Sequence, residues 1–271
     1  MQMVGQKLNL EIINSWSEIP QFIIIQGDRN MGKTTMVLYL CEKFNMHYVK
    51  MNNGINDVRE LVKLMTPNSN TIYHFKDFDR ASIQAKNALL KITEETPVGN
   101  CIIITGSNQI KTLESRARKL VMGAYNMEEV CNYMQGYVPS SEIQRNLFIA
   151  GINSPSKVEK YCKYDGLEQC LNFAFQVFNK ITMIDYVDGV YAIRDFESRY
   201  KNDEVDVAIL FLSMLIHIIE YNIINKQYYH YYEILNILIP AKESLERDYT
   251  LNRKFVIYRV IYNLSQIRGK I

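Results

Sequence analysis

The sequence has few of the residues that build metal or disulfide frameworks. Its five cysteines are scattered through 271 residues without a C-x-x-C pair, and its four histidines are equally dispersed. An odd, unclustered set of cysteines is typical of reduced thiols, and it offers no zinc framework. The sequence therefore argues against a disulfide-stapled secreted domain and against a metal site built from cysteine and histidine.

The sequence also lacks a strong charge of either sign. Its formal net charge is only +2, so any contact with nucleic acid must come from a local patch of basic residues. The share of hydrophobic residues, 48%, is ordinary for a soluble globular protein. The first residues, MQMVGQKLNLEII, lack the basic start and long apolar core of a signal peptide, so we expect a cytoplasmic protein.

One segment, VDVAILFLSMLIHIIEYNII at 205–224, is apolar enough to raise the question of a membrane span. It is interrupted by Asp206, Ser213, His217 and Glu220, while its apolar positions follow the helical i, i+3, i+4, i+7 rule. This pattern predicts a buried helix of a bundle and no contact with a membrane.

What the sequence does contain is a phosphate-binding motif, GDRNMGKTT at 27–35. In the spacing G-x-x-x-x-G-K-T, the glycines let the backbone curl so that successive N–H groups point at phosphate oxygens. The apolar run FIIIQ (22–26) before it predicts a buried parallel strand, and the residues from Thr34 to Phe44 predict a helix. A helix that begins after such a strand and turn receives an anion at its N-terminus.

The motif identifies the residues expected to bind ATP and Mg²⁺. Lys33 is expected to reach the β- and γ-phosphates, and the Thr34 hydroxyl is expected to coordinate Mg²⁺. The other candidate contacts of the nucleotide in this loop are Gly27, Asp28, Asn30, Gly32 and Thr35. The motif leaves open whether the nucleotide is hydrolysed or only held.

Further strands are predicted at TIYHF (71–75) and CIIIT (101–105), because both are short apolar runs. The segment between them predicts a helix with Ser82 as its N-cap and an apolar face that includes Leu89 and Ile92. Alternating strands and helices predict a parallel sheet with crossover helices.

The patterns divide the chain into three predicted domains. Strand and helix signals alternate up to about residue 122, and beyond Gly123 only helical patterns remain. They are short up to about residue 180 and longer afterwards, the last at about 252–268. We therefore expect an α/β nucleotide-binding domain at 1–122, a small helical domain at 123–180 and an all-helical domain at 181–271.

Four segments carry a family resemblance. AKNALLKITEE (85–95) is similar to A-x-N-A-L-L-K-x-x-E-E-P, TLESRA (112–117) to T-I-x-S-R-C, and GINDVRELVKLM (54–65) to I-x-V-x-x-I-R-E-L. These are motifs of the bacterial DNA polymerase III clamp-loader family, which includes the delta-prime and gamma/tau subunits and their replication factor C relatives. IPAKESLERDYTLNRKFVIYRVIYNL (239–264) resembles the helical collar that closes the rings of this family.

The resemblance implies an AAA+ fold, with the nucleotide-binding domain followed by a helical lid and a collar that drives oligomerisation. It implies an ATP-dependent subunit of a hetero- or homo-oligomeric ring of AAA+ subunits. Such a ring opens a sliding clamp and places it on primed DNA, at the junction of double-stranded and single-stranded DNA. The chain's small size and its richness in Ile, Lys, Asn and Tyr suit a compact version from an AT-rich bacterium, a phage or a plasmid.

The resemblance also assigns roles to individual residues. Arg116 of TLESRA matches the arginine that projects into a neighbour's ATP site, where a guanidinium can offset charge on the γ-phosphoryl oxygens. Thr105 is the candidate sensor of the γ-phosphate, a role that Ser107 or Asn108 could share. Lys157 stands where the family's lid helix often has an arginine. The alternative for Arg116 and Lys157 is an ordinary solvated charge at the surface. The alternative for Thr105 is an ordinary threonine at the end of a strand.

The chain departs from the family at the strand that holds Mg²⁺. The family has Asp-Glu-x-x-Asp after four apolar residues, whereas IYHFKDFDR places Lys76 and Asp77 at the first two positions. Asp77 is the candidate catalytic carboxylate, and after a slip of one residue it would instead hold the metal with Asp79 behind it. An ammonium beside Mg²⁺ repels the ion. It therefore stays open whether ATP hydrolysis by this chain is slow or absent.

The family's four-cysteine zinc module is also missing, which leaves open whether the delta-prime or the gamma type is the better match. The leading hypothesis is an ATP-binding clamp-loader subunit that supplies Arg116 to its neighbour. The alternatives are an AAA+ helicase loader and an ATP-binding replication scaffold that does not hydrolyse ATP.

Overall fold

The computed structural model describes residues 3–108, 111–181, 205–226 and 231–266. The predicted third domain at 181–271 is therefore described in part, and the last two residues of its predicted final helix lie outside the described ranges. The chain divides into two compact units, Met1–Glu129 with Ser154–Ser156 and Val130–Asn153 with Lys157–Ile271. The boundaries proposed near residues 122 and 180 stay predictions.

A five-stranded parallel sheet forms the centre of the first unit. Its strands are β1 (Phe22–Gln26), β2 (His47–Met51), β3 (Thr71–Phe75), β4 (Asn100–Gly106) and β5 (Arg118–Val121). They lie in the order β2-β3-β4-β1-β5, and every pairing is parallel. The three predicted strands are the three central ones.

The two edge strands were not predicted, because neither is an apolar run. β2 has the sequence HYVKM and β5 has RKLV, and most of their residues are exposed or half-buried. An edge strand can carry charged side chains that a central strand of a parallel sheet, buried on both faces, cannot. Hydrophobicity therefore marks only the strands inside the sheet.

The helices of the first unit follow the strands as crossovers, except the first, which precedes β1. They are α1 (Lys7–Asn14), α2 (Lys33–Lys43), α3 (Ile55–Leu64), α4 (Ile83–Glu94) and the short α5 (Lys111–Glu114), with a 3₁₀ turn at Phe78–Arg80. Ser82 caps α4 as predicted, because its hydroxyl accepts the backbone N–H of Ala85 at 3.2 Å.

Apolar side chains fill both faces of the sheet. Ile24, Ile102 and Phe75 pack with α3 and α4 on one face, and Ile23 and Ile103 pack with α2 on the other. Successive residues of a strand face opposite sides, so the unbroken run FIIIQ contributes to both clusters. This double burial is what makes β1 a rigid support for the loop that follows it.

The remaining described helices are α6 (Met127–Met134), α7 (Ser141–Ile149), α8 (Pro155–Tyr161), α9 (Leu167–Lys180), α10 (Val207–Lys226), α11 (Tyr232–Arg247) and α12 (Arg253–Gln266). In the second unit α10 packs against α9 and α11, and α11 packs against α12. Among the described residues α10 alone is long and apolar enough to span a membrane, with a mean hydropathy of 2.0 over Val207–Asn225. Of this window, 61% is buried by the rest of the chain, as predicted for a bundle helix.

Gly151 tests the packing of this second unit. It follows α7 with a φ of +90°, and a Cβ at this position would run into the ring of His217 on α10. We expect Gly151→Ala to lower the free energy of unfolding by roughly 2–4 kcal/mol, since the left-handed backbone and the overpacking both cost free energy. Urea unfolding of the whole chain measures the loss.

Gly136→Ala is the matched control, because a Cβ there meets no atom within 4 Å. It should leave the unfolding midpoint nearly unchanged. Equal midpoints for the two variants would contradict the packing described at Gly151.

Candidate phosphate-binding site

A cavity of about 380 Å³ lies in the first unit, where the carboxyl ends of the central strands meet. Loops after parallel strands converge at this edge of the sheet, which is where open α/β sheets bind ligands. The lining residues are Arg29, Asn30, Gly32, Lys33, Thr34, Thr35, Lys76, Asp77, Thr105 and Ser156. The structure thus brings the loop residues together with the candidate carboxylate and the candidate sensor, and it adds Arg29, Lys76 and Ser156.

The loop enters α2 through Gly32, whose φ of +79° favours glycine. A Cβ at this position would also lie 2.6 Å from the hydroxyl of Tyr125. No side chain caps the N-terminus of α2. Its first backbone N–H groups have no acceptor within the helix, and the helix dipole places partial positive charge there, so this end of α2 is suited to an anion.

Lys33 is held by the loop that precedes it. Its ammonium donates to the carbonyl oxygen of Gly27 at 2.6 Å and to that of Asp28 at 2.7 Å. Gly27 and Asp28 therefore join the site through backbone carbonyls, and the Asp28 side chain is exposed. Burial lowers the pKa of Lys33, while the nearby carboxylate of Asp77 acts in the opposite direction. A phosphate would be a stronger, charged acceptor for this ammonium.

The segment after β3 brings one carboxylate and one further ammonium to the cavity. Asp77 has a left-handed backbone (φ +53°) at the start of the 3₁₀ turn, and it lines the cavity beside Lys76. Asp79 lies behind it, with a buried Oδ1 that has no hydrogen-bond partner and a carbonyl that accepts from Lys86 Nζ at 2.6 Å. Within the described ranges no group of three or more His, Cys, Asp and Glu could hold a metal ion.

Thr105 ends a row of hydrogen bonds that was not predicted. Its hydroxyl lies 3.1 Å from Nε2 of His74 on β3, and Nδ1 of that ring lies 3.0 Å from the hydroxyl of Tyr48 on β2. His74 is fully buried, and desolvation lowers its pKa to about 4, so the ring is neutral at physiological pH. The available signal was a histidine inside TIYHF, a run predicted to be buried on both faces. Ser107 and Asn108 do not line the cavity.

Arg116 lies elsewhere, beside a second cavity of about 370 Å³ that is lined by Gln21, Phe22 and Arg118 among others. These residues mark the amino ends of β1 and β5, opposite the phosphate loop. Arg116 lies in the turn between α5 and β5, two residues before the strand begins, and does not start a helix. Its Nε donates to Glu94 at 2.9 Å, and its side chain is 43% exposed.

Lys157 belongs to the second unit, where its Nζ donates to the carbonyl of Gly151 at 2.7 Å and to Asn153 at 3.2 Å. Burial lowers its pKa. These bonds tie α8 to the segment after α7. A contact between Lys157 and a nucleotide stays a prediction.

The chain is similar in structure to RuvB, the Holliday junction branch migration motor of Thermotoga maritima, with a TM-score of 0.50 and 10% identity over 79% of this chain and 74% of that one. A single-residue mutant of the same motor gives a TM-score of 0.51 and 10% identity over 80% and 79%. A DNA polymerase III gamma subunit-related protein of that organism has 15% identity and a TM-score of 0.47 over 96% and 98%. No family model matches the sequence, and no curated protein does either.

At these identities the likeness to RuvB concerns the fold alone. The predicted parallel sheet with crossover helices is confirmed, and the chain shares its fold with RuvB.

The buried His74 makes stability depend on pH. The unfolded chain protonates this ring near pH 6.5, whereas the folded chain does so only near pH 4. Because the unfolded state binds more protons between these values, the contribution of His74 is complete above about pH 6.5 and is lost as the pH falls toward 4. We expect this residue to account for a loss of about 3 kcal/mol in unfolding free energy across that window.

Urea unfolding of the wild type and of His74→Gln at a series of pH values measures the contribution of His74. The contributions of the other titratable groups cancel in the difference between the two unfolding free energies. His47→Gln, at an exposed histidine, is the control and should keep the wild-type slope. A His74→Gln variant that loses stability on acidification as steeply as the wild type would count against the buried, neutral ring.

Proposed function

We propose that the chain binds ATP in the cavity at the carboxyl edge of the sheet. The observation that carries this proposal is the uncapped start of α2 behind Gly32, with the Lys33 ammonium and the Thr34 hydroxyl in the same cavity. The backbone N–H groups bind the phosphates, and the ammonium exchanges neutral carbonyl partners for phosphate oxygens. Asn30 and Thr35 line the path of the same phosphates.

The donor set fits Mg²⁺ as a companion of the nucleotide. Mg²⁺ is commonly held by one or two protein oxygens together with phosphate oxygens and water. Thr34 and Asp77 are the two lining residues that we assign to the ion, and Lys76 beside them weakens the site. When bound, the ion would offset negative charge on the phosphates.

We propose that Arg116 acts on the ATP of a neighbouring subunit. It lies at the amino edge of the sheet, about 15–20 Å along the strands from the chain's own phosphate loop. An exposed ion pair such as that with Glu94 is worth no more than about 1 kcal/mol, so the guanidinium is released at little cost. An arginine at this edge can serve a second subunit and not its own.

We propose that the assembly is a clamp loader in DNA replication. The motifs at 85–95 and 112–117 support this role, together with the separation of Arg116 from the cavity. The helical segments at 123–180 and 181–271 would serve as lid, with Lys157, and as collar. The partners are other AAA+ subunits, a sliding clamp and a primed DNA junction.

Lys76 favours a second candidate function, an ATP-binding scaffold that does not hydrolyse its nucleotide. Its ammonium lines the cavity at the position where the family's first aspartate would hold Mg²⁺, and Asp77 is the single carboxylate among the lining residues. Both functions require ATP binding. They differ in whether phosphate is released.

Lys33→Ala tests the binding site. We expect its affinity for a fluorescent ATP analogue to fall by about 10- to 100-fold, as the loss of a charge-assisted hydrogen bond predicts. Lys63→Ala, an exposed lysine on α3, should bind as the wild type does. Wild-type affinity in Lys33→Ala would overturn the proposed site.

Arg116→Ala tests the action on a neighbour. The isolated variant should bind ATP within about twofold of the wild type, while ATP hydrolysis by the assembled ring should fall at least about tenfold. Arg118→Ala, beside the same second cavity, is the matched control and should leave both unchanged. Weakened ATP binding in isolated Arg116→Ala would contradict an action in trans.

The ring itself is obtained by crosslinked affinity capture of the tagged chain from its own cells, with the partners identified by mass spectrometry. Recovery of a sliding clamp and further AAA+ subunits supports the clamp loader and supplies the complex for the hydrolysis assay. Recovery of a replicative helicase without a clamp would overturn it in favour of a helicase loader.

A further inference from the structure

A row of three polar side chains crosses the sheet face that α2 covers. Tyr48 lies on β2, His74 on β3 and Thr105 on β4, and each is hydrogen-bonded to the next. We infer that His74 is a positioning residue that sets the Thr105 hydroxyl to donate its hydrogen to the terminal phosphoryl group of bound ATP, and that Tyr48 fixes the orientation of the histidine's own hydrogen.

The register of the sheet produces this row. Tyr48 pairs with Ile72, two residues before His74, and His74 pairs with Ile103, two residues before Thr105. Each side chain therefore lies one pleat nearer to the carboxyl edge than its neighbour on the preceding strand. The row runs diagonally from the exposed edge strand to the cavity.

Burial makes these hydrogen bonds costly to break. The exposed fraction is 0% for His74 and 1% for Thr105, whereas Tyr48 is 37% exposed at the outer end of the row. The ring is on the sheet face whose apolar side chains, among them Ile72 and Ile103, pack with α2. A polar group left without a partner in such surroundings costs about 1–3 kcal/mol, so the row is held in one arrangement.

The neutral ring has two tautomers with opposite consequences for Thr105. If the Tyr48 hydroxyl donates to Nδ1, the ring hydrogen is on Nε2 and is donated to the Thr105 oxygen. The threonine hydrogen is then left for an acceptor in the cavity. In the other tautomer, Nε2 accepts the threonine hydrogen, and nothing remains to donate to a ligand.

Tyr48 selects the first tautomer because a phenol is a good donor to an imidazole nitrogen and a poor acceptor of its N–H. Thr105 lines the cavity together with Lys33 and Thr34. A hydroxyl that can only donate there matches an anionic oxygen. ADP lacks the terminal phosphoryl group of ATP. The row therefore increases the preference of the site for ATP over ADP.

This inference rests on the proposed binding of ATP, and the test separates the two. The affinities for ATP and ADP are measured with fluorescent analogues of both on the whole chain. His74→Phe is expected to lose about tenfold in ATP affinity and less than about twofold in ADP affinity, the loss of one hydrogen bond to a charged group. Thr105→Val should lose as much, and the double variant no more than either single one.

Two further variants distinguish positioning from packing. His74→Gln carries an amide N–H that can replace Nε2–H, and it should stay within about threefold of the wild type for ATP. Tyr48→Phe removes the group that selects the tautomer while leaving the ring in place, and it should lose part of the preference for ATP.

The tautomer is read directly by ¹⁵N NMR of the ligand-free protein, with hydrogen expected on Nε2 and none on Nδ1 of His74. Hydrogen on Nδ1 in the wild type would overturn the inference. So would a His74→Phe variant that kept the wild-type preference for ATP. If the wild type bound neither nucleotide, the proposed function would be overturned, and the role of the row in ATP binding with it.

Discussion

The parallel direction of the five strands is the constraint on which the arrangement of this molecule depends. Because all strands run the same way, the carboxyl ends of the strands and the loops that follow them lie at one edge of the sheet. The amino ends of the strands lie at the other edge. The phosphate loop after β1, Asp77 after β3 and Thr105 at the end of β4 therefore converge. The same constraint keeps Arg116, which precedes β5, away from them. The sheet thus separates the residues of the proposed nucleotide site from the arginine that we propose acts on a partner.

The charges at the carboxyl edge follow from the same geometry. Lys33 and Lys76 meet a single lining carboxylate, Asp77, and the uncapped end of α2 adds the positive end of a helix dipole. Without a ligand, the Lys33 ammonium is satisfied by two backbone carbonyls and not by a carboxylate. A cavity of this kind attracts an anion. It offers a single carboxylate, however, and metal-assisted hydrolysis would need more acidic groups than that.

The central fold was predictable from sequence because double burial leaves unbroken apolar runs, as in FIIIQ and CIIIT, and because Ser82 is a cap with a local partner. β2 and β5 were missed because an edge strand needs no such run. The loop residues were predictable because their spacing is local. His74 was not, since its meaning depends on Tyr48 and Thr105, which are distant in sequence and adjacent only through the register of the sheet.

The helix α4 has a further consequence, because its two ends lie at the two edges of the sheet. Its twelve residues span about 18 Å. At its start Lys86 donates a hydrogen bond to the carbonyl of Asp79, next to the cavity. At its end Glu94 accepts a hydrogen bond from Nε of Arg116. The helix thus joins a contact beside the cavity to a contact with the guanidinium at the opposite edge of the sheet. A shift of α4 along its axis would move both contacts together.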